Sequence, residues 1–238
     1  LMKKLLLSVF TAGLGFLSFS QTVVMGVSPS SIAVSFDYTL GETSFGANNF
    51  TTEAVIAEAI FAEDGTTGTD VNGHPLSHRG CTAFTNAAAM NGKIALISRG
   101  ECDFGLKALN AQNAGARAVV VINNATGMIN MQGGNSGPQV TIPAVSISLA
   151  DGNILREALA QGPITLLIGQ KLGAFANDVS VAKADVLTPR YMTHNFLLSS
   201  SPNAPVGMVV RNSGSSTATG VTAKISLVNE ANVAVYEE

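Results

Sequence analysis

The sequence predicts an α+β domain followed by part of an all-β sandwich. Short apolar segments at 93–98 and 116–122 are typical of buried strands, and a helix-like segment separates them. Beyond Asn177 the helical periodicity is lost and strand-like segments follow. Because 46% of the residues are hydrophobic and only 12% are charged, the composition excludes a disordered chain.

Residues 1–20 are predicted to be a secretory signal peptide. Lys3 and Lys4 precede an uncharged run at 5–19, and the small residues of Ser18-Phe19-Ser20 suit cleavage before Gln21. A buried N-terminal strand or helix is the alternative. No segment reaches the roughly 18 apolar residues that a membrane span needs. We therefore expect a secreted or cell-surface protein without a membrane span in these residues.

The charge balance argues against nucleic-acid binding. The chain has 13 basic and 16 acidic residues, and loss of Lys3 and Lys4 with the leader leaves eleven basic residues and a net charge of −5. Seven acidic residues and no basic residue lie between positions 21 and 78, and such a surface repels phosphate backbones. Calcium binding by Asp64, Asp70 and Asn72 is an alternative, although their spacing matches no EF-hand loop.

Three strands are expected in the first part of the domain. Segments 23–27 and 32–38 are rich in β-formers, and Pro29 with Ser30 marks a turn between them. Segment 53–61 alternates weakly and is interpreted as a strand, with a helix as the alternative because of its alanines. Gly- and Thr-rich residues 65–73 are expected to form a surface loop.

The central part predicts a strand, a helix and a second strand. Residues 93–98 form a strand buried on both faces, and Asp103 is placed to cap a helix at 104–114. Gly115 is expected to end that helix in a left-handed conformation. Residues 116–122 then form the second buried strand, so the two strands should be parallel neighbours.

The last part of this domain repeats the alternation. Residues 142–147 form a strand, and Ser148 with Asp151 three positions later resembles a capping box. The helix that begins there should end before Gly162, which Pro163 follows. Residues 164–168 form the last strand of a domain that spans 21–175.

Residues 178–238 are predicted to be a partial β-sandwich. Residues 212–216, rich in Asn, Ser and Gly, are interpreted as a hairpin-type turn. About four strands leave a sheet edge and an apolar face uncovered, so we expect the protein to be truncated at position 238. The predicted strands are 179–181, 206–211, 221–228 and 233–236.

Cys81 and Cys102 are expected to form a disulfide. An even cysteine count in an exported chain favours that pairing. The bridge would close a loop of 22 residues and stabilise the fold by about 3 kcal/mol. The alternative is a catalytic thiol, for which His78 is the one histidine nearby in sequence.

The sequence predicts no catalytic residue, no metal site and no cofactor. His74 and His78 have zinc-site spacing, but the Glu of HExxH is missing and Pro75 disfavours a helix. A loop with two solvent-exposed histidines is the favoured interpretation. The segment 134–138 superficially resembles a serine nucleophile loop, but it does not match G-x-S-x-G and is interpreted as a mobile turn.

A series of motifs runs through the middle of the chain. The motifs are Gly80-Cys81, GKIALISRGECDF at 92–104, KALNAQNAGARAVVVINN at 107–124, IPAVSIS at 142–148 and Ala150-Asp151-Gly152. In order, spacing and residue type they resemble the protease-associated (PA) domain, and the resemblance covers residues from about 50 to 170. Residues 178–238 resemble an adhesion-type or immunoglobulin-like bacterial sandwich module.

The resemblance implies a fold and a role. PA domains have a β-sandwich-like or open-barrel sheet with small flanking helices, and they carry no catalytic residues. They accompany secreted proteases, zinc aminopeptidases and sorting receptors, where they bind peptides or proteins or restrict access to an active site. The pair Cys81 and Cys102 looks like the bridge of many members, and Arg99 is carried over as a candidate partner contact. Pairing of Arg99 with Glu101, Asp103 or a carbonyl is the alternative.

The expected function is therefore non-catalytic recognition. The predicted partner is a peptide or protein ligand, or a catalytic domain of the same chain that is a peptidase or another hydrolase. The loop 127–138 is expected to offer free backbone amides as donors, at Gly133, Gly134, Asn135 and Ser136. The alternative function is a structural or adhesive cell-surface protein in which the PA unit is a spacer.

Overall fold

The computed structural model describes residues 22–42, 45–46, 54–181, 186–187, 207–222, 226–228 and 233–237. The predicted signal peptide at 1–20 lies outside these residues. Within the described ranges, no helix has the length and apolar character needed to cross a membrane.

Strands between Thr22 and Gln170 form one eight-stranded mixed sheet, which three α-helices accompany. The strands are β1 (Thr22–Ser28), β2 (Ser35–Phe36), β3 (Tyr38–Leu40), β4 (Val55–Phe61), β5 (Ile94–Ser98), β6 (Ala118–Ile122), β7 (Ala144–Ile147) and β8 (Ile164–Gln170), in the order β2-β1-β8-β4-β5-β6-β7-β3. The helices are α1 (Ala87–Met90), α2 (Phe104–Asn113) and α3 (Leu149–Gln161), with 3-10 turns at Ser30–Ile32, Leu76–Arg79 and Gly137–Gln139.

Four neighbouring strands, β4 to β7, run parallel. Every residue of β5 and β6 is buried, as expected for strands covered on both faces. The strand prediction for 53–61 is confirmed over Val55–Phe61, and its helical alternative is wrong. The predicted parallel pairing of the two central strands is also confirmed, with Leu96 opposite Val120.

The sheet curls into a nearly closed barrel. Strands β2 and β3 lie at opposite ends of the strand order, yet only Asp37 separates them in the chain. The two edges must therefore approach each other, and the Tyr38 hydroxyl donates a hydrogen bond across this seam to the carbonyl of Thr22, at 3.2 Å. The prediction of one strand over 32–38 is wrong because the chain crosses from one edge to the other there.

Each face of the sheet has its own apolar core. Alternate residues point to opposite faces, so Leu96 and Val120 pack with Leu155 of α3. Ile97 and Val121 pack on the other face in a cluster that contains the α2 alanines 108 and 111. The two helices are therefore on opposite sides of the same parallel strands.

The predicted helix ends are confirmed except for one cap. The Ser148 hydroxyl accepts a hydrogen bond from the Asp151 amide at 3.1 Å, as the capping box requires. Gly115 follows α2 with φ of +83°, the left-handed conformation expected of it. Asp103 occupies the N-cap position of α2 but makes no side-chain capping bond, so that prediction is wrong.

The ends of this domain are paired. Strand β1 is antiparallel to β8, and Thr22 lies opposite Gln170. Residues after 178 form three two-stranded pairs within the described ranges, and their assembly into a sandwich stays a prediction. Arg211–Asn212 pairs with Val179–Ser180, so the turn at 212–216 does not close a hairpin. The short strands are β9 (Val179–Ser180), β10 (Val186–Leu187), β11 (Gly207–Met208), β12 (Arg211–Asn212), β13 (Ser226–Val228) and β14 (Ala234–Glu237).

Candidate functional site

The loops that follow the parallel strands meet at one end of the sheet. We call residues 70–74, 99–103 and 123–127 the loop face; they follow β4, β5 and β6. The Asn72 side chain donates to the carbonyl of Asn124 at 3.0 Å, which joins two of the three loops. Ligands of α/β folds bind at the carboxyl ends of parallel strands, so this end is the candidate site.

Arg99 holds two loops of this face together. Its Nη1 donates to Asn123 Oδ1 at 3.0 Å, and Asn123 Nδ2 donates to the carbonyl of Gly127 at 2.8 Å. The guanidinium is half-buried. The expected alternative partners were different, since Glu101 pairs with Arg79 instead. The Arg99 side chain therefore fixes the loop conformation.

The Gly-rich turn is only partly available as a donor surface. The buried Gly133 amide donates to Glu42 Oε1 at 2.9 Å, and its carbonyl accepts from Gly137 at 2.8 Å. The expectation of a free amide at Gly133 is therefore wrong. Gly134 and Asn135 are exposed, and Ser136 is half-exposed.

This turn packs directly on the start of α2. A Cβ atom at Gly105 would lie 1.9 Å from the carbonyl oxygen of Gly133, so only glycine fits there. A Cβ atom at Gly134 would lie 2.6 Å from Asp103 Oδ2. The turn and the loop 99–103 are thus neighbours, as the sequence-based site required, although Arg99 itself points to Asn123.

The disulfide between Cys81 and Cys102 is present, with the two Cα atoms 5.8 Å apart. It ties the loop 99–103 to the segment that follows the Leu76–Arg79 turn. Both cysteines of the chain are in this bond, so the alternative of a catalytic thiol does not fit the structure.

A buried lysine lies behind the disulfide. Lys107 of α2 has no exposed surface, its Nζ donates to the carbonyl of Arg79 at 2.5 Å, and it lies 3.4 Å from Cys81 Sγ. Burial, aided by the charge of Arg79, lowers the pKa of Lys107 to about 8, although Asp64 and Glu101 oppose the shift. Lys107 was not among the residues predicted to be functional, although its position beside the apolar helix face of Ala108 and Ala111 was a signal.

A second polar cluster lies on the other face of the sheet. His78 Nε2 is 3.0 Å from Glu63 Oε1, and His78 Nδ1 is 3.1 Å from Arg156 Nη1. Because an arginine can only donate, Nδ1 must accept, and the ring is neutral with its proton on Nε2. The side chain of His78 is 12% exposed and that of His74 is 18% exposed, so the interpretation of two solvent-exposed histidines is wrong.

Arg156 completes that cluster. Its Nη2 donates to the Ser98 hydroxyl at 2.7 Å, and its guanidinium lies 4.3 Å from the centre of the Phe61 ring. Phe61 in turn stacks on His78. Burial lowers the pKa of Arg156 and of His78; at His78 the Glu63 carboxylate opposes the shift and the Arg156 charge adds to it.

The carboxylates that suggested calcium already have other roles. Asp64 Oδ2 accepts from the Cys81 amide at 2.8 Å, and its Oδ1 accepts from the Thr66 amide. Asp70 Oδ1 accepts from the amides of Asn72 and His74. In the part of the chain that the structure describes, no group of three or more His, Cys, Asp or Glu residues could hold a metal ion.

Comparisons with known proteins identify the domain. Residues 59–155 match the family model described as the PA domain. Aminopeptidase YwaD of Bacillus subtilis is 41% identical over 107 residues, which cover 45% of this chain and 22% of that protein. ER degradation-enhancing alpha-mannosidase-like protein 3 of Xenopus laevis is 39% identical over 92 residues, which cover 35% of this chain and 10% of that protein.

One solved structure aligns with part of the chain. The aminopeptidase from Aneurinibacillus sp. strain AM-1 aligns at 27% identity with a TM-score of 0.45, over 63% of this chain and 30% of that one. The chain thus spans about a fifth or less of the length of the curated relatives described above. The family match, the mixed sheet with few helices and the bridged loop lead to one conclusion: this chain contains a PA domain.

Proposed function

We propose that this chain is the non-catalytic PA module of a secreted or cell-surface protein and that its loop face binds a peptide, a protein or a catalytic domain of the same chain. The observation that carries the proposal is the PA match over residues 59–155, which includes the loop 99–103 and most of its neighbours. The predicted leader at 1–20 supports export.

The attached catalytic domain is proposed to be a peptidase. The similarity to Aminopeptidase YwaD supports this context. A different hydrolase is the second candidate for the attached domain, because part of this chain is also similar to an alpha-mannosidase-like protein. In either case the module would deliver or restrict substrate rather than convert it.

Recognition would use a surface that is already ordered. The disulfide and the bond from Arg99 to Asn123 hold the loops in one conformation, so little conformational entropy is lost when a partner binds. Exposed residues 125–127 and the exposed Gly134 and Asn135 lie on the rim of this surface. An extended peptide would take backbone hydrogen bonds there, with Arg99 as a charged contact.

The chemistry near the loop face supports a role without catalysis. The hydroxyl of Ser98 accepts from Arg156, whose guanidinium cannot act as a base. The two cysteines are bonded to each other. His78 has both ring nitrogens in contacts with Glu63 and Arg156, so it has no free nitrogen to activate a nucleophile.

A binding assay with matched variants tests the proposal. Fluorescein-labelled peptides from a casein digest would be titrated with the purified chain and followed by anisotropy. Arg99→Ala should weaken binding at least fivefold. The control Arg117→Ala, at the opposite end of the sheet with its Nη1 on the Ile56 carbonyl, should leave binding unchanged. Equal affinities for the two variants would contradict the assignment of Arg99.

Hydrolysis assays test the second half of the proposal. The purified chain is expected to release no product from leucine p-nitroanilide or casein. Turnover that co-purifies with the chain would refute a non-catalytic module. The spacer alternative rests on the strand pairs after residue 178. The spacer alternative predicts that no peptide of the casein digest binds with a Kd below the millimolar range.

A further inference from the structure

We propose that the disulfide between Cys81 and Cys102 is a thiol–disulfide exchange site that a dithiol attacks at Cys102, with Cys81 leaving as a thiolate held by the Lys107 ammonium. This site is independent of peptide binding and extends beyond the proposed function. It rests on the position of one buried cation and on the different surroundings of the two sulfur atoms.

Lys107 lies beside the sulfur atom of Cys81, one of the two sulfur atoms of the disulfide. Its Nζ lies 3.4 Å from Cys81 Sγ and donates to the Arg79 carbonyl, inside a region where the side chain has no exposed surface. A disulfide sulfur is a weak acceptor, so the ammonium lacks a strong partner on that side. A thiolate at the same place would supply one, because an adjacent lysine stabilises the anionic form of a cysteine.

The two cysteines of the disulfide have different neighbours. The Cys81 amide donates to Asp64 Oδ2 at 2.8 Å, and its Sγ lies between Lys107 and the Gly100 carbonyl, 3.8 Å away. Cys102 sits between the exposed residues Glu101 and Asp103 in the surface loop. Both cysteines are half-buried, so the direction of attack rests on the leaving group: attack at Cys102 Sγ releases the sulfur atom that lies beside Lys107.

The charge of Lys107 favours the reduced state of the two cysteines over the disulfide. In the oxidised protein the buried ammonium faces a neutral sulfur, which agrees with a Lys107 pKa of about 8. Reduction places the Cys81 thiolate beside the Lys107 ammonium. The buried ammonium, which is unfavourable on its own, then becomes part of an ion pair. Arg79 adds positive charge to this region, and Asp64 and Glu101 are the acidic groups that oppose it. The interaction stabilises the reduced state, and this makes the bridge easier to break.

The exchange balances as follows. A thiolate of the dithiol attacks Cys102 Sγ, forms a mixed disulfide, and the electron pair of the broken S–S bond goes to Cys81 Sγ. The second thiol of the reagent, as its thiolate, then attacks the reagent's own sulfur in the mixed disulfide. The Cys102 thiolate leaves and takes up a proton, and the reagent departs as its cyclic disulfide. The dithiol is oxidised by two electrons, and the protein disulfide is reduced by two.

Reduction would release the loop 99–103 from the segment at residue 81. The Arg79–Glu101 ion pair and the bond from Arg99 to Asn123 would remain as its attachments. The site therefore changes how firmly one loop of the face is held, without changing the sheet beneath it.

A trapping experiment tests the direction of attack. The purified chain would be treated with glutathione as a monothiol, quenched with iodoacetamide, digested and analysed by mass spectrometry. Glutathione is expected on Cys102 and the acetamide group on Cys81, by at least fivefold over the reverse pattern. An equal distribution, or glutathione mainly on Cys81, would overturn the proposal.

A variant pair tests the role of Lys107. Lys107→Met removes the charge at similar volume, and Lys93→Met is the control because Lys93 pairs with Glu58 on the surface. Leaving-group effects on exchange predict that Lys107→Met slows reduction by dithiothreitol at pH 7 about fivefold, while Lys93→Met does not. Equal rates for both variants would refute the role of Lys107.

The wild-type chain provides a measurement that needs no variant. After full reduction, the pH midpoint of iodoacetamide labelling would be measured separately for the two cysteines. Cys81 is expected to have a midpoint at least one pH unit below that of Cys102. A midpoint for Cys81 equal to or above that of Cys102 would contradict the proposal, even if Lys107→Met fails to fold.

Discussion

Two cations, the buried Lys107 of α2 and the half-buried Arg156 of α3, lie on opposite faces of one sheet and contact the same short segment. Lys107 reaches the carbonyl of Arg79 and the sulfur of Cys81, whereas Arg156 reaches His78. The segment 78–81 therefore lies between two helices, and each helix contributes one positively charged side chain that contacts it.

The difference between the two sides lies in the partners. The planar guanidinium of Arg156 has a neutral imidazole, a hydroxyl and an aromatic face as partners, although its buried Nε has no hydrogen-bond partner. The ammonium of Lys107 is a compact charge with one carbonyl and a neutral sulfur. The α3 side should therefore respond to protonation of His78, and the α2 side to the redox state of the disulfide and to the charge of Lys107.

The largest expected effect is removal of the bridge on the α2 side. The double variant Cys81→Ser with Cys102→Ser should lower the free energy of unfolding by about 3 kcal/mol, because the unfolded chain gains the entropy of an open 22-residue loop. Urea unfolding followed by circular dichroism would measure it. A loss below about 1 kcal/mol would mean that the bridge contributes little to the stability of this side.

The next effect separates the two cations by pH. The Lys107 pKa is about 8 in the folded chain and 10.5 as the ordinary value, so the cost of burying the ammonium is largest below pH 8 and disappears as pH rises toward 10.5. Between pH 7 and 9.5 the wild type should gain about 2 kcal/mol of stability relative to Lys107→Met. Urea titrations at both pH values would measure the difference, since other titrating groups cancel. A constant difference would contradict a buried charged lysine.

Most of the sheet was predictable from local pattern. The continuous apolar runs of β5 and β6 leave no choice other than strands buried on both faces, and the Ser148–Asp151 spacing marked the start of α3. The division of 32–38 between two sheet edges was not predictable, because it depends on closure of the barrel by strands far apart in sequence.

The candidate site was predictable only in its covalent part. The disulfide follows from the cysteine count and compartment. The partners of Arg99, Lys107 and Arg156 depend on which loop each strand end meets, and Asn123 and His78 carry no local sign of such contacts. The loops of the site were therefore predictable from the sequence, but the contacts among them were not.

On the α3 side, acidification is expected to have a smaller effect than the changes at Lys107, because Glu63 opposes the pKa shift at His78. The pKa of His78 is lowered by burial, so the neutral ring is favoured in the folded state and stability falls as pH drops below about 6.5. His78→Gln keeps an acceptor for Arg156 and a donor for Glu63 but does not titrate. Thermal unfolding from pH 7.5 to 5 should show a steeper loss for the wild type. Equal losses of stability in the wild type and His78→Gln would show that groups other than His78 cause the acid sensitivity.

The smallest expected effect concerns the loop on the α2 side. Glu101 has φ of +71°, a left-handed conformation that is unfavourable for most side chains and tolerated by asparagine. Glu101→Asn should raise the free energy of unfolding by about 0.5 kcal/mol, since the exposed pair with Arg79 that it removes is worth little. Chemical denaturation against the wild type measures this. A net destabilisation would show that the ion pair outweighs the backbone conformation.

The register of Thr22 opposite Gln170 has a consequence for how such a domain is built into larger proteins. Entry and exit lie on neighbouring antiparallel strands, a spacing close to that of the two ends of an ordinary surface loop. A gene segment that encodes residues 22–170 could therefore be spliced into a host enzyme as a cassette without forcing apart the host structure on either side of the junction.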